Sequence, residues 1–222
     1  MLSVNIRNRF LNVLEDYRKS YLGQEYTIDG KSCTRLLINR FLSDVLGYKP
    51  AEEIKPVNLL QGPYPCYAIQ IFGICQFLVV VKAPALRLTK KQEQQIIHYC
   101  SVEKTQWVLL TNGGKFDFYK ITAVELKKVF NIHITKTSRL NELARPLQYL
   151  HKSAIRNKSL WLTGNKYNAL NPGTIRKFLY NSEVLTFITF LINRRYGVKC
   201  TEDEIVKSMN SLMRKKKEFT RA

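Results

Sequence analysis

The chain has 222 residues, 45% of them apolar, enough for one domain with an appendage or for two small domains, and this excludes a disordered polymer. Charge is its loudest property: 36 Lys and Arg against 17 Asp and Glu leave a net +19, a footprint for a polyanion, most often nucleic acid. The longest apolar run, VLTFITFLI at 184–192, is half a membrane span, and the amphipathic N-terminus lacks a signal peptide's apolar centre, so a soluble, cytoplasmic protein with no membrane partner is expected.

Along the chain, the apolar positions Val4, Ile6, Phe10, Leu11, Val13 and Leu14 give residues 2–20 helical spacing. Asp29-Gly30 punctuates a turn. A second helix follows over 33–48, with Leu36, Leu37, Phe41, Val45 and Leu46 on one face and Gly47 as its stop. Residues 52–60 have extended character. YAIQIFGI (67–74) and QFLVVVK (76–82) read as paired strands. Thr89 caps a helix running to about residue 102, with Gln92 completing a capping box. QWVLLT (106–111) and KFDFYKI (115–121) flank the hairpin turn Asn112-Gly113-Gly114, and alternation sends Phe116 and Phe118 to the core.

From about residue 122 the pattern reads as helical, beginning with AVELKKVF (123–130). Pro146 interrupts or starts one helix, Pro172 starts another, Ser182 caps a third that ends at Gly197, and Thr201 with Glu204 boxes the last. That last helix runs into Arg214, Lys215, Lys216 and Lys217, which suit the negative end of its dipole and can equally meet phosphate. Residues 145–222 hold 16 basic against 5 acidic residues. The fold class expected is α/β: a small mixed sheet flanked by helices over 1–125, then a basic, all-helical part over 126–222.

Five cysteines (Cys33, Cys66, Cys75, Cys100, Cys200) include no C-x-x-C pair, and three histidines (His98, His133, His151) offer no zinc spacing. Reduced, mostly buried thiols are expected.

Pro65-Cys66 opens one strand and Val80-Val81-Lys82 closes the next. This arrangement resembles the core of PD-(D/E)xK nucleases, where Pro-Asp starts one strand and Glu-x-Lys ends its neighbour. Gln95 and Tyr99 stand where one branch of these nucleases has a helical Gln-x-x-x-Tyr element. WVLLTNGGKFDFYKI (107–121) and CTRLLINRFLSDVLGY (33–48) are similar to the hairpin and first core helix of the N-terminal nuclease domain of type I restriction enzyme R subunits. The resemblance covers residues 25–125 and implies a restriction-endonuclease-like core. In the family, two carboxylates hold a divalent metal, usually magnesium, that activates water, and the lysine supports the developing charge.

Cys66 and Val80 occupy the two carboxylate positions, and the place for an acid on the first core helix is Lys31-Ser32-Cys33. The expectation is therefore a vestigial catalytic set of Lys82, Gln95 and Tyr99, without metal or other cofactor. Such a module would bind nucleic acid, DNA foremost, through Lys82, Arg87, Lys90, Lys91 and the run Arg214–Lys217. Two other readings stand beside it. Carboxylates from elsewhere (Asp29, Glu52, Glu53 or Glu93) would make a magnesium- or manganese-dependent nuclease. An exposed 184–192 strip would make an accessory protein of a restriction or mobile-element system, with a protein partner or a second copy of itself.

Overall fold

The computed structural model describes residues 2–23, 30–58, 65–81, 88–122 and 125–215. It divides into a first unit, Met1–Gly164, and a second, Asn165–Ala222. In chain order the first unit holds α1 (Val4–Leu22), α2 (Gly30–Arg40) continuing into a π turn (Phe41–Val45), α3 (Pro50–Glu53), β1 (Ile54–Val57), β2 (Cys66–Ile71) and β3 (Ile74–Val81). Then come α4 (Lys90–Val102), β4 (Trp107–Thr111), β5 (Lys115–Ile121), β6 (Leu126–His133), α5 (Leu140–Leu147) and α6 (Lys152–Arg156), with the boundary falling inside α7 (Ser159–Ala169).

Six strands form one sheet in sequential order, every neighbouring pair antiparallel except β3 and β4. Parallel neighbours need a crossover, and α4 supplies it. β3 and β4 are nearly unbroken apolar runs because helices cover both faces of the sheet. On one face, Ile69, Phe77, Val79, Leu109, Phe116 and Phe118 pack with α1, α2 and α5 through residues such as Leu14, Ile38, Phe41 and Leu147. Phe41 meets Phe116 at 4.4 Å and Trp107 stacks on Phe118 at 5.2 Å between ring centres. Each such fully buried side chain contributes about 2–3 kcal/mol of transfer free energy. On the other face, Cys66, Ala68, Leu78, Val80, Val108 and Leu110 pack against Ile96 and Cys100 of α4.

Several sequence expectations hold at residue level. Thr89 and Gln92 close the capping box, with Gln92 N–H donating to Thr89 Oγ1 at 3.2 Å and Thr89 N–H to Gln92 Oε1 at 3.1 Å. Gly47 takes a left-handed φ of +77°. Asn112 Oδ1 accepts the N–H groups of Gly114 and Lys115, Gly113 has φ +93°, and Phe116 and Phe118 are fully buried.

Others need correction. Residues 126–133 are a strand, not helix: Phe118 pairs with Phe130 and Tyr119 with Lys128, so edge pairing with β5 overrides the local apolar spacing. This strand and α5 to α7 carry the first unit past residue 125. Leu36 is exposed, because the buried face of α2 and the π turn runs through Leu37, Ile38, Phe41, Leu42 and Val45.

The second unit is helical: α8 (Pro172–Leu179), α9 (Ser182–Tyr196) and α10 (Glu202–Lys215). Asn171 caps α8, with Pro172 in its first turn. The cap of α9 is Asn181 rather than Ser182, its Oδ1 accepting Glu183 N–H at 2.8 Å, and Gly197 ends the helix with φ +67°. Thr201 and Glu204 form the expected reciprocal bonds at the start of α10. Asn193 holds the α9–α10 connection by accepting Cys200 N–H at 2.6 Å and donating to Cys200 O at 3.2 Å.

Candidate functional site

Phe72 and Gly73, both with positive φ (+52° and +76°), make the tight turn between β2 and β3, as in a type I′ hairpin. From there the register runs back with one shift at Ile69/Gln70 and sets Cys66 directly opposite Val80. Positions 66 and 80, chosen in the sequence for their resemblance to a metal-binding pair, are thus cross-strand neighbours. Both side chains face α4, Cys66 at 3% and Val80 at 0% exposure, inside an apolar cluster.

α4 brings the next two residues to the same face. Its capped start fixes the helix phase, so that Ile96 and Cys100 point into the cluster and Tyr99 packs half-buried against it. Gln95, four residues before Tyr99, is also half-buried and shares its side of the helix. Burial pushes the Tyr99 phenol above its ordinary value, and the Glu103 carboxylate beside it pushes the same way, so the hydroxyl keeps its proton. Lys90 and Lys91 are exposed in the first turn of α4. Cations at the positive end of a helix dipole are unfavourable by a few tenths of a kcal/mol to about 1 kcal/mol.

Lys82 and Arg87 lie outside the described residues, as do Lys216 and Lys217; the backbone of Arg214 and Lys215 forms the last turn of α10. The catalytic and cationic residues named from sequence are therefore brought together here only as Gln95, Tyr99, Lys90 and Lys91 on α4, beside Cys66 and Val80.

A magnesium ion demands hard oxygen ligands, and a thiol and an isopropyl group in an apolar cluster do not fit it. Among the described residues no group of three or more His, Cys, Asp and Glu gathers as metal ligands. The alternative carboxylates lie elsewhere. Asp29 is outside the described residues. Glu52 is exposed and paired with Lys49 at 2.9 Å. Glu53 just precedes β1, whose far end, Val57, pairs with Cys66; Ile54 is about 10 Å along the sheet from that cysteine, and Glu53 lies one residue beyond. It is committed to Lys152 Nζ at 2.7 Å and to Lys49 N–H at 2.9 Å. Burial raises its carboxyl, but these two hydrogen bonds outweigh that and hold it below the ordinary range. Glu93 lies half-buried on α4.

Sequence inspection passed over Arg9 and His151, which line a cavity beside the sheet's other helical layer. The signal for Arg9 was its spacing: Ile6, Arg9, Phe10 and Val13 share one side of α1. His151 carried no comparable signal, since apart from Ser153 its neighbours in the cavity are over a hundred residues away in sequence. Comparison of the chain with protein-family models, with curated proteins and with solved structures finds no match.

Proposed function

We propose that the chain is a catalytically inactive, nuclease-like module that binds nucleic acid, DNA foremost, through a basic surface that includes the start of α4. The observation that carries this reading is the direct pairing of Cys66 with Val80 under α4. The reading is supported by the succession of two strands, a crossover helix bearing Gln95 and Tyr99, a parallel strand and a hairpin. The positions for metal carboxylates hold buried apolar groups, while the chain keeps a net +19. Attraction to phosphate needs no metal and carries no base preference.

Fluorescence anisotropy with a labelled duplex tests it. Binding is expected at about 50 mM salt and falls log-linearly as salt rises; Lys90→Glu with Lys91→Glu lowers the slope by about 2 if both side chains contact phosphate. Absence of salt-sensitive binding to duplex and single strands overturns the reading. Plasmid incubated with magnesium or manganese is expected to stay intact, and metal-dependent cleavage would restore the alternative of an enzyme with relocated ligands.

A second reading, a protein-interaction accessory, is favoured by one observation. On α9, within the 184–192 strip, Phe187, Phe190 and Leu191 are 60%, 55% and 45% exposed and follow the spacing of one helix face.

A further inference from the structure

A cavity of about 610 Å³ opens between α1, the π turn, the loop 46–50 and the start of α6. That volume lies within the range of small-molecule sites. It is on the sheet face opposite α4, so what it binds is independent of the nucleic-acid reading.

Its shape comes from two backbone departures. The π turn, closed by Leu46 N–H to Phe41 O at 3.0 Å, widens the end of α2, and such turns concentrate at functional sites. Gly47 then turns with φ +77°, passing so near His151 that a Cβ there would sit 3.4 Å from Nε2. The inner wall is apolar, with Phe10 and Tyr48 nearly fully buried and Val13 beside them.

The polar lining is asymmetric. Asp44 is occupied by the Ser43 hydroxyl at 2.7 Å and by Arg40 at 3.8 Å. Lys49 is held by Glu52, and Lys152 next to His151 is held by Glu53. Arg9 has no carboxylate partner among the described residues. His151 Nδ1 accepts Ser153 N–H at 3.1 Å, which places the proton of the neutral ring on Nε2. That N–H makes no hydrogen bond to a described residue. Two donors, one of them a solvent-exposed cation, therefore stand beside an apolar wall without an acceptor among the described residues.

We propose that this cavity binds a small organic anion: an oxyanion head taken by the Arg9 guanidinium and His151 Nε2–H, on an apolar body lying against Phe10 and Val13. A guanidinium fork suits carboxylate and phosphate alike, and the probes separate them. Burial, then Arg9, lowers the basicity of His151 in the empty cavity; a bound anion offsets both and raises it.

The test is NMR of the full chain, following the His151 ring protons, assigned by loss in His151→Asn, during titration with phenyl phosphate, benzoate or the uncharged benzyl alcohol. At least one anion is expected to give a saturable shift below about 20 mM, with the alcohol about tenfold weaker or worse. Whichever anion binds more tightly names the head group. The anion-bound ring should titrate at higher pH than the empty one, and Arg9→Gln, an exposed position that leaves the core untouched, should weaken binding about tenfold. The proposal is overturned if neither anion gives a saturable shift, if the alcohol binds equally well, or if Arg9→Gln binds as tightly as the parent.

Discussion

At the scale of single residues, two side chains set the terms. Val80 is sealed between Cys66, Leu110 and the α4 side chains, so a carboxylate there is cut off from water and meets no cation among the described residues. Val80→Glu is therefore expected to cost more than about 3 kcal/mol in urea unfolding. A variant as stable as the parent would show that the cluster is open to solvent. His151 works through protons. Burial, then Arg9, holds it below its unfolded value of about 6.5, so between the two values the unfolded chain binds more protons. Stability accordingly rises with pH through that window and is lost on acidifying below about pH 7. His151→Gln should make the urea midpoint less sensitive to pH over that range; an unchanged profile would assign the acid sensitivity to other groups. Neither effect was legible in the sequence beyond residue identity. Cys66 and Val80 could be located from strand ends, but their complete burial depends on α4, and the His151 environment is assembled by α1 and the π turn.

At the scale of elements, local chemistry was readable wherever a side chain bonds its own neighbourhood. The Thr89 box and the Asn112 turn are of this kind, and the Gly47 and Gly197 stops were as readable because a residue without Cβ takes a positive φ freely. The turn also carries a long-range bond, because Tyr17 Oη of α1 donates to Gly113 O at 2.6 Å while Gly113 N–H donates to Thr111 Oγ1. The φ of +93° at Gly113 is one that side chains rarely adopt, although an added Cβ would meet Leu37 and Tyr17 only at ordinary contact distance. Gly113→Ala should destabilise by more than about 1 kcal/mol, read from thermal or urea unfolding. A neutral result would mean that the turn relaxes away from α1. β6 was not readable, for a physical reason. Between Phe118 and Tyr119 the pairing skips Val129, so two-residue alternation breaks in mid-strand and the apolar spacing passes for helical. A strand at the sheet edge, paired on one side only, takes its identity from β5 rather than from its own residues.

At the scale of the whole molecule, the two units differ in how they treat apolar surface. The first buries two clusters about its sheet. In the second, Leu185 and Ile205 are the buried apolar side chains among those described, while Phe178, Phe187, Phe190 and Tyr196 stand more than half exposed. Helical periodicity gave the helices of this unit, but composition could not say which faces would remain uncovered. If α9 docks on a second copy, sedimentation should show association rising with concentration and abolished by Phe187→Ser with Phe190→Ser; a parent that stays monomeric at about 100 μM removes self-association from consideration. The same division extends to the thiols. Cys75 on β3 and Cys100 on the inner face of α4 are pushed up to about 12 by burial first, whereas Cys200, between α9 and α10, is half-buried. Because thiolate is the reacting species, a brief maleimide exposure at neutral pH should decorate Cys200 well before either buried sulfur. A fluorophore attached there would report on the second unit, and late modification of Cys75 and Cys100 would time the opening of the sheet's α4 layer.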